Sequence, residues 1–175
     1  MILAMVVVLT LGLLTFSPGQ TTIAPMDRDE ARFAQASKQM LADGDYITPR
    51  FQQELRAKKP VGIYWLQSAS ASLFGAESIA SYRLPSLIGG LMVLAATVYF
   101  ARFFFLWPYG LLLGALMATN LVLVVESHLA KTDALLAALI AVQQITLWRM
   151  IDLHRDHSYV SGKYAVLFWT MMAMA

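Results

Sequence analysis

The sequence predicts an all-α integral membrane protein, a multi-span helical bundle whose long first loop carries amphipathic juxtamembrane helices. Three observations predict it. Hydrophobic residues make up 58% of the 175-residue chain and charged residues 14%, where a soluble domain carries about 25% charged residues. Mean hydropathy is +0.59, so the apolar surface needs a solvent other than water. The apolar residues also fall in long runs without charge, broken by short polar stretches. A net charge of +2 excludes a strongly basic nucleic-acid binder. The chain has no cysteine, which excludes a disulfide, a thiolate metal site and a cysteine nucleophile.

The elements follow in order. Residues 1–18 open with an apolar run ended by Ser17-Pro18-Gly19; no basic segment and no small-residue cleavage motif accompany it, so it reads as a retained span. Residues 19–83 are polar enough to lie outside the hydrocarbon. Asp27 and Glu30 resemble a capping box with Asp in the Ser/Thr place. They open a helix over 28–42 whose apolar face is Phe33, Ala36, Met40 and Leu41; such a helix lies along the membrane surface. Gly44 stops it, and an extended loop runs over 45–51, where Pro49 restricts Thr48. A basic turn at 56–60 leads to an interfacial helix over 61–75, with Tyr64 and Trp65 at headgroup level. Further spans are expected at 84–105, 109–125, 134–150 and 164–175. Pro85 fits a first helical turn, and Gly89-Gly90 permits close helix packing. Residues 126–133 form a polar turn, and Gln143 and Gln144 face other helices. The run from 164 is still apolar at Ala175, which reads as the N-terminal part of a longer transmembrane domain, with the C-terminal part missing.

Orientation does not follow from charge. Residues 20–83 hold eight Lys and Arg and the opposite side four, but the positive-inside rule weakens for loops of about 60 residues.

Alternation of spans places the 19–83 loop and the 126–133 turn at one membrane face. Asp29, Glu30, Lys58, Lys59, Arg83, His128, Lys131 and Asp133 therefore share that face. Carboxylates beside cations at a bilayer surface suit a lipid-phosphate substrate: cations neutralise the phosphate as it leaves, and a carboxylate takes a proton from an attacking hydroxyl. Each residue also has a plainer reading. Asp29 and Glu30 complement a helix dipole, Thr132 and Asp133 open a span, Lys58 and Lys59 anchor to headgroups, Arg83 snorkels, and His128 makes an interfacial hydrogen bond. Spacing alone leaves both sets of readings open.

The ordered combination is more specific. Asp29-Glu-Ala-Arg-Phe-Ala, Met40-Leu-Ala-Asp-Gly-Asp-Tyr-Ile-Thr-Pro, Lys59-Pro-Val-Gly-Ile-Tyr-Trp-Leu, Leu73-Phe-Gly and Tyr82-Arg-Leu-Pro-Ser resemble the first extracytoplasmic loop of the protein O-mannosyltransferase and aminoarabinose (lipid A) transferase superfamily, glycosyltransferases of the GT-C class. His128-Leu-Ala-Lys-Thr-Asp-Ala-Leu-Leu is similar to that family's second acidic motif. The resemblance covers about residues 1–150. It implies a polyprenyl-phosphate sugar donor, undecaprenyl-phosphate-like, and a lipid A, glycan or protein acceptor reached from the periplasmic side of the bacterial inner membrane. It also implies Asp29 as principal catalytic acid beside Glu30, Asp133 as second acid, and Lys59 on the donor phosphate, with Lys58, Arg83 and Lys131 balancing charge. Lys58 stands where aminoarabinose transferases typically carry Glu. Some relatives bind a divalent metal ion near these acids, and no clear ligand set for one is visible here. Two other readings are a transporter or flippase half, which calls for intramembrane charges and broken helices, and a non-catalytic membrane scaffold.

Overall fold

The computed structural model describes residues 1–56 and 59–175. Their order is α1 (Ile2–Phe16), α2 (Arg28–Asp43), β1 (Arg50–Phe51), β2 (Glu54–Leu55), α3 (Gly62–Phe74), α4 (Ile79–Ala101), α5 (Trp107–Ala118), α6 (Leu121–His128), α7 (Asp133–Arg155) and α8 (Gly162–Met174). The chain is mostly helical, and helices α4 and α7, of 23 residues each, are long and apolar enough to cross a membrane. At 1.5 Å per residue each reaches about 35 Å, against a hydrocarbon core of about 30 Å. Helices α5 and α6, of 12 and 8 residues, are long enough for a third span only together, and they are bent by 58° at their junction. Asn120 makes that bend tolerable: its side chain accepts from the Leu123 N–H at 3.1 Å and caps α6. Two expected spans differ in length from a full crossing. Helix α1 has 15 residues and α8 has 13, about 22 and 20 Å.

Helix α4 is the hub and packs against α1, α3, α5, α6 and α7. Small residues permit it. A methyl group on Gly89 would stand 2.7 Å from the Leu135 backbone of α7, so only glycine allows these two helices to touch there. The apolar core of the bundle gathers Ala4, Val8 and Phe16 of α1 with Leu94 and Val98 of α4 and Ala118 and Leu123 of the bent pair.

Boundaries differ from the sequence expectation for local reasons. Helix α4 starts at Ile79 rather than at 84, which leaves Pro85 inside it. Bonds from Ser81 Oγ to the Gly75 carbonyl and from Tyr82 Oη to the Ala76 carbonyl, both 2.8 Å, hold the extra turns. Helix α6 runs through Glu126 to His128, so the expected polar turn shrinks to 129–132. The expected loop over 45–51 ends in a two-residue antiparallel ladder, Arg50 opposite Leu55 and Phe51 opposite Glu54. Gln39 of α2 fastens its tip, accepting from Gln52 N at 2.7 Å and donating to Gln52 O at 3.3 Å.

Helices α2 and α3 pack as a pair beside the bundle. Phe33, Ala36 and Met40 meet Ile63 and Tyr64, with the Phe33 and Tyr64 rings stacked at 5.4 Å. Under this apolar seam runs a buried polar one. Ser37 Oγ donates to Gln67 Oε1 at 2.7 Å, Gln67 Nε2 donates to the Ala130 carbonyl at 3.1 Å, and Ser68 Oγ donates to the Ser37 carbonyl at 3.0 Å. Buried polar groups must be paired, and this pairing ties α2 and α3 to the turn between α6 and α7.

Candidate functional site at one membrane face

The site is organised by the N-terminus of α2. Asp27 is its N-cap and accepts from Asp29 N at 3.1 Å, which satisfies one orphan donor of the helix start. Glu30 reaches back past the cap to Met26 N at 3.0 Å rather than to Asp27 N. Arg83 accounts for the departure. Its Nε donates to Glu30 Oε1 at 2.7 Å, and the two side chains are 1% and 0% exposed. The same guanidinium donates to the carbonyls of Gln20 at 2.9 Å, Ile23 at 2.8 Å and Ala24 at 3.4 Å. Glu30 Oε1 also accepts from Ala130 N at 3.2 Å. One buried ion pair thus joins the segment after α1, the start of α2, the start of α4 and the α6–α7 turn.

A second, outer contact fixes the same register. Lys131 forms a salt bridge with Asp27, and their side chains are 16% and 41% exposed. Lys131 donates to the Asp27 carboxylate, and with help from the Asp29 amide this holds Asp27 below the usual aspartate pKa. For Lys131, partial burial disfavours the charge, but the Asp27 hydrogen bond and the Glu126, Asp27 and Asp133 carboxylates outweigh it and raise the pKa. Ser86 Oγ of α4 holds the Lys131 carbonyl at 3.0 Å.

Asp29 and Asp133 are both exposed. Asp29 lies 3.6 Å from Arg32 one turn on, and Thr132 Oγ1 stands 3.4 Å from Asp133 Oδ1. Lys59 is exposed just before α3, while Lys58 lies outside the described residues. Immediately after Lys59, Pro60, Ile63 and Leu66 form one wall of an apolar groove of about 370 Å³. Thr132, Leu135 and Leu139 of α7 form the other wall, so the groove ends beside Asp133. The two His128 ring nitrogens lie 2.7 and 2.9 Å from the carbonyls of Val124 and Pro18.

Seven residues were expected at the site. Glu30, Arg83 and Lys131 are joined to one another's surroundings by direct bonds; Asp29 and Asp133 flank that knot; Lys59 borders the groove. Two acids were not expected as site members. Asp27 was read only as a cap, and Glu126 only as the edge of a turn. Glu126 is the sole Asp, Glu, Lys or Arg between Arg102 and Lys131; an isolated carboxylate at a span end is itself a functional signal. One of its oxygens is buried without a hydrogen-bond partner among the described residues. Among the described residues no three His, Asp or Glu side chains converge as metal ligands.

Helices long and apolar enough to cross a membrane and a carboxylate–cation cluster where α2, α4 and the α6–α7 turn meet define a helical membrane protein with a polar cluster at one end of its bundle. More narrowly, the chain belongs to the dolichyl-phosphate-mannose-protein mannosyltransferase family, which matches residues 58–175. It is 27% identical over 148 residues to an undecaprenyl phosphate-alpha-4-amino-4-deoxy-L-arabinose arabinosyl transferase of Pseudomonas aeruginosa, covering 84% of this chain and 26% of that one. A Pseudomonas fluorescens transferase of the same description is 28% identical over 151 residues, with the same coverage of 84% and 26%. The chain thus spans about a quarter of the length of these relatives. Its fold matches part of ArnT from Cupriavidus metallidurans in the apo state, with TM-score 0.78 and 22% identity over 98% of this chain and 31% of that one. The same protein bound to undecaprenyl phosphate gives TM-score 0.73 at 22% identity, over 98% and 30%.

Proposed function

We propose that this chain supplies the donor-side portion of a membrane glycosyltransferase that moves a sugar from a polyprenyl-phosphate donor to a lipid A, glycan or protein acceptor at the periplasmic face of the bacterial inner membrane. The observation that carries the reading is the pinning of the α2 N-terminus to the α6–α7 turn by Glu30, Arg83, Asp27 and Lys131. In this reading Asp29 and Asp133, both exposed, work at a common face. Family membership and the transferase relatives support it.

In this reading an acceptor hydroxyl oxygen attacks the anomeric carbon. The bond from that carbon to the phosphate oxygen breaks, and its electron pair leaves on the polyprenyl phosphate. The hydroxyl proton passes to the Asp29 carboxylate, with inversion at carbon. Lys59, and with it Lys58, meets the leaving phosphate as a point charge. The groove beginning at Pro60 takes the adjoining part of the polyprenyl chain. Asp133 orients the acceptor from the other side. Arg83 and Lys131 are given different work from phosphate binding: each already faces a carboxylate, Glu30 and Asp27, and acts by positioning Asp29. Glu30, fully buried, does the same.

The test is transfer of sugar from an undecaprenyl-phosphate-linked donor by the whole protein carrying Asp29→Asn. Loss of a general base lowers the rate by about 10²–10⁴-fold, with donor binding unchanged. Undiminished transfer refutes the role. The bent α5–α6 span favours a second reading, since a transporter uses broken helices. That reading requires the lipid-linked sugar to cross the membrane uncleaved, so release of free polyprenyl phosphate separates the two.

A further inference from the structure

The end of the bundle away from the carboxylate cluster holds two arginines against one aromatic ring. The guanidinium carbon of Arg102, at the end of α4, lies 4.5 Å from the Phe103 centroid, and that of Arg149 on α7 lies 4.9 Å from it. Trp148 packs on the same ring at 4.6 Å. Arg149 spends one nitrogen on Asp152, at 2.9 Å. Its Nε is buried and has no hydrogen-bond partner among the described residues. Arg149 also lines a cavity of about 430 Å³ between α1, α4, α7 and α8, a size in the range of small-molecule sites. Apart from Arg149, Tyr99, Tyr164 and Thr146, the walls are apolar, with Met5, Met92 and Leu167 among them.

An apolar groove with the Arg149 guanidinium in its lining has the chemistry of a phospholipid: hydrocarbon walls and a cation for an anionic oxygen. We propose that this groove binds one acyl chain of an anionic glycerophospholipid from the leaflet opposite the carboxylate cluster. A phosphate oxygen meets the accessible part of the Arg149 guanidinium, whose side chain is 22% exposed, and Arg102 faces the headgroup. Charge complementarity selects the anionic class. Two guanidiniums, Arg102 and Arg149, stand on one ring here beside the Asp152 carboxylate, and basic pockets between spans on one leaflet select anionic headgroups. A zwitterionic lipid would bring its own cation up to two guanidiniums. The planar guanidinium fork suits a phosphate better than a lysine would, and Tyr99, Trp148 and Tyr164 supply the amphipathic rings favoured at headgroup depth.

The test uses the whole protein in nanodiscs of phosphatidylcholine doped with phosphatidylglycerol, followed by delipidation in mild detergent and native mass spectrometry. The parent retains phosphatidylglycerol in preference to phosphatidylcholine. Arg149→Gln lowers that retention about fivefold, the worth of one basic contact at a membrane surface. Ala96→Phe, which fills the groove and leaves Arg149 in place, lowers it as well. Arg155→Gln, exposed and outside the groove lining, leaves it unchanged. Four results overturn the proposal: no lipid retained by the parent, meaning that something other than lipid fills the groove; equal retention of phosphatidylcholine; no effect of Arg149→Gln and Ala96→Phe; or an equal loss with Arg155→Gln.

Discussion

Glu30→Gln is the substitution that most sharply probes how the site is assembled. It changes one atom and leaves the shape of the side chain intact. The parent carboxylate accepts from Arg83 Nε, Met26 N and Ala130 N at 2.7, 3.0 and 3.2 Å. A glutamine has one acceptor oxygen and one donor nitrogen, so whichever way it turns, a donor faces a donor. Arg83, 1% exposed, keeps its charge with no counter-ion. Breaking a buried pair from one side costs about 3–5 kcal/mol, most of it the penalty on the remaining charge. At about 1.4 kcal/mol per tenfold, the docked state of α2 becomes less favoured by two to nearly four powers of ten. Amide hydrogen exchange over residues 28–43 reads this as faster local opening. Adding Arg83→Met to Glu30→Gln removes the stranded charge, so the double variant should exchange more slowly than Glu30→Gln alone. Parent-like exchange in Glu30→Gln, or a double variant as loose as the sum of both changes, would refute the reasoning.

Other perturbations follow from the same contacts. The Asp27–Lys131 bridge sets a pH window. A lowered Asp27 pKa contributes stability that is full above the unfolded value of about 3.9 and lost as pH falls through the lower folded value. The raised Lys131 pKa contributes below about 10.4 and is lost as pH rises through the higher folded value. The bridge therefore holds throughout neutral pH, and in Lys131→Met the thermal midpoint should lack the part of the parent's fall below about pH 4 that Asp27 causes. Gly89→Ala drives a methyl group against the Leu135 backbone; overpacking of this kind costs about 1–3 kcal/mol, and a lowered thermal midpoint in detergent checks it. Asp29→Asn, by contrast, touches only an exposed side chain and should leave that midpoint unmoved while transfer is lost.

Much of this was legible in the residues themselves. Asp27 and Glu30 three apart announced the start of α2, and the Phe33–Ala36–Met40 spacing announced the face it buries. The common face of the first loop and the second acidic motif followed from counting spans. What the chain hid was pairing across distance. Nothing in the order of residues says that Arg83, 53 positions from Glu30, will spend all its nitrogens on that acid and on three carbonyls. Arg83 read equally well as a phosphate ligand, because a basic residue at a span end looks the same in either role. Helix boundaries were missed where tertiary bonds override local signals. Pro85 marks a helix start by propensity, yet Ser81 and Tyr82 find carbonyl partners that carry α4 several residues further back. The bend at Asn120 was hidden for the opposite reason: the apolar run is continuous across it, and only a cap made in three dimensions shows the break.

The account depends most on residues 29 and 133 standing at one face, open to the periplasm. The 175 residues carry no cysteine, so in a whole protein cleared of any other cysteine Asp29→Cys and Asp133→Cys can each be probed in whole cells with a maleimide that enters the periplasm but does not cross the inner membrane. Both positions should label, and both should label without disrupting the cells. Labelling of one and not the other, or of neither until the inner membrane is opened, would contradict the shared site.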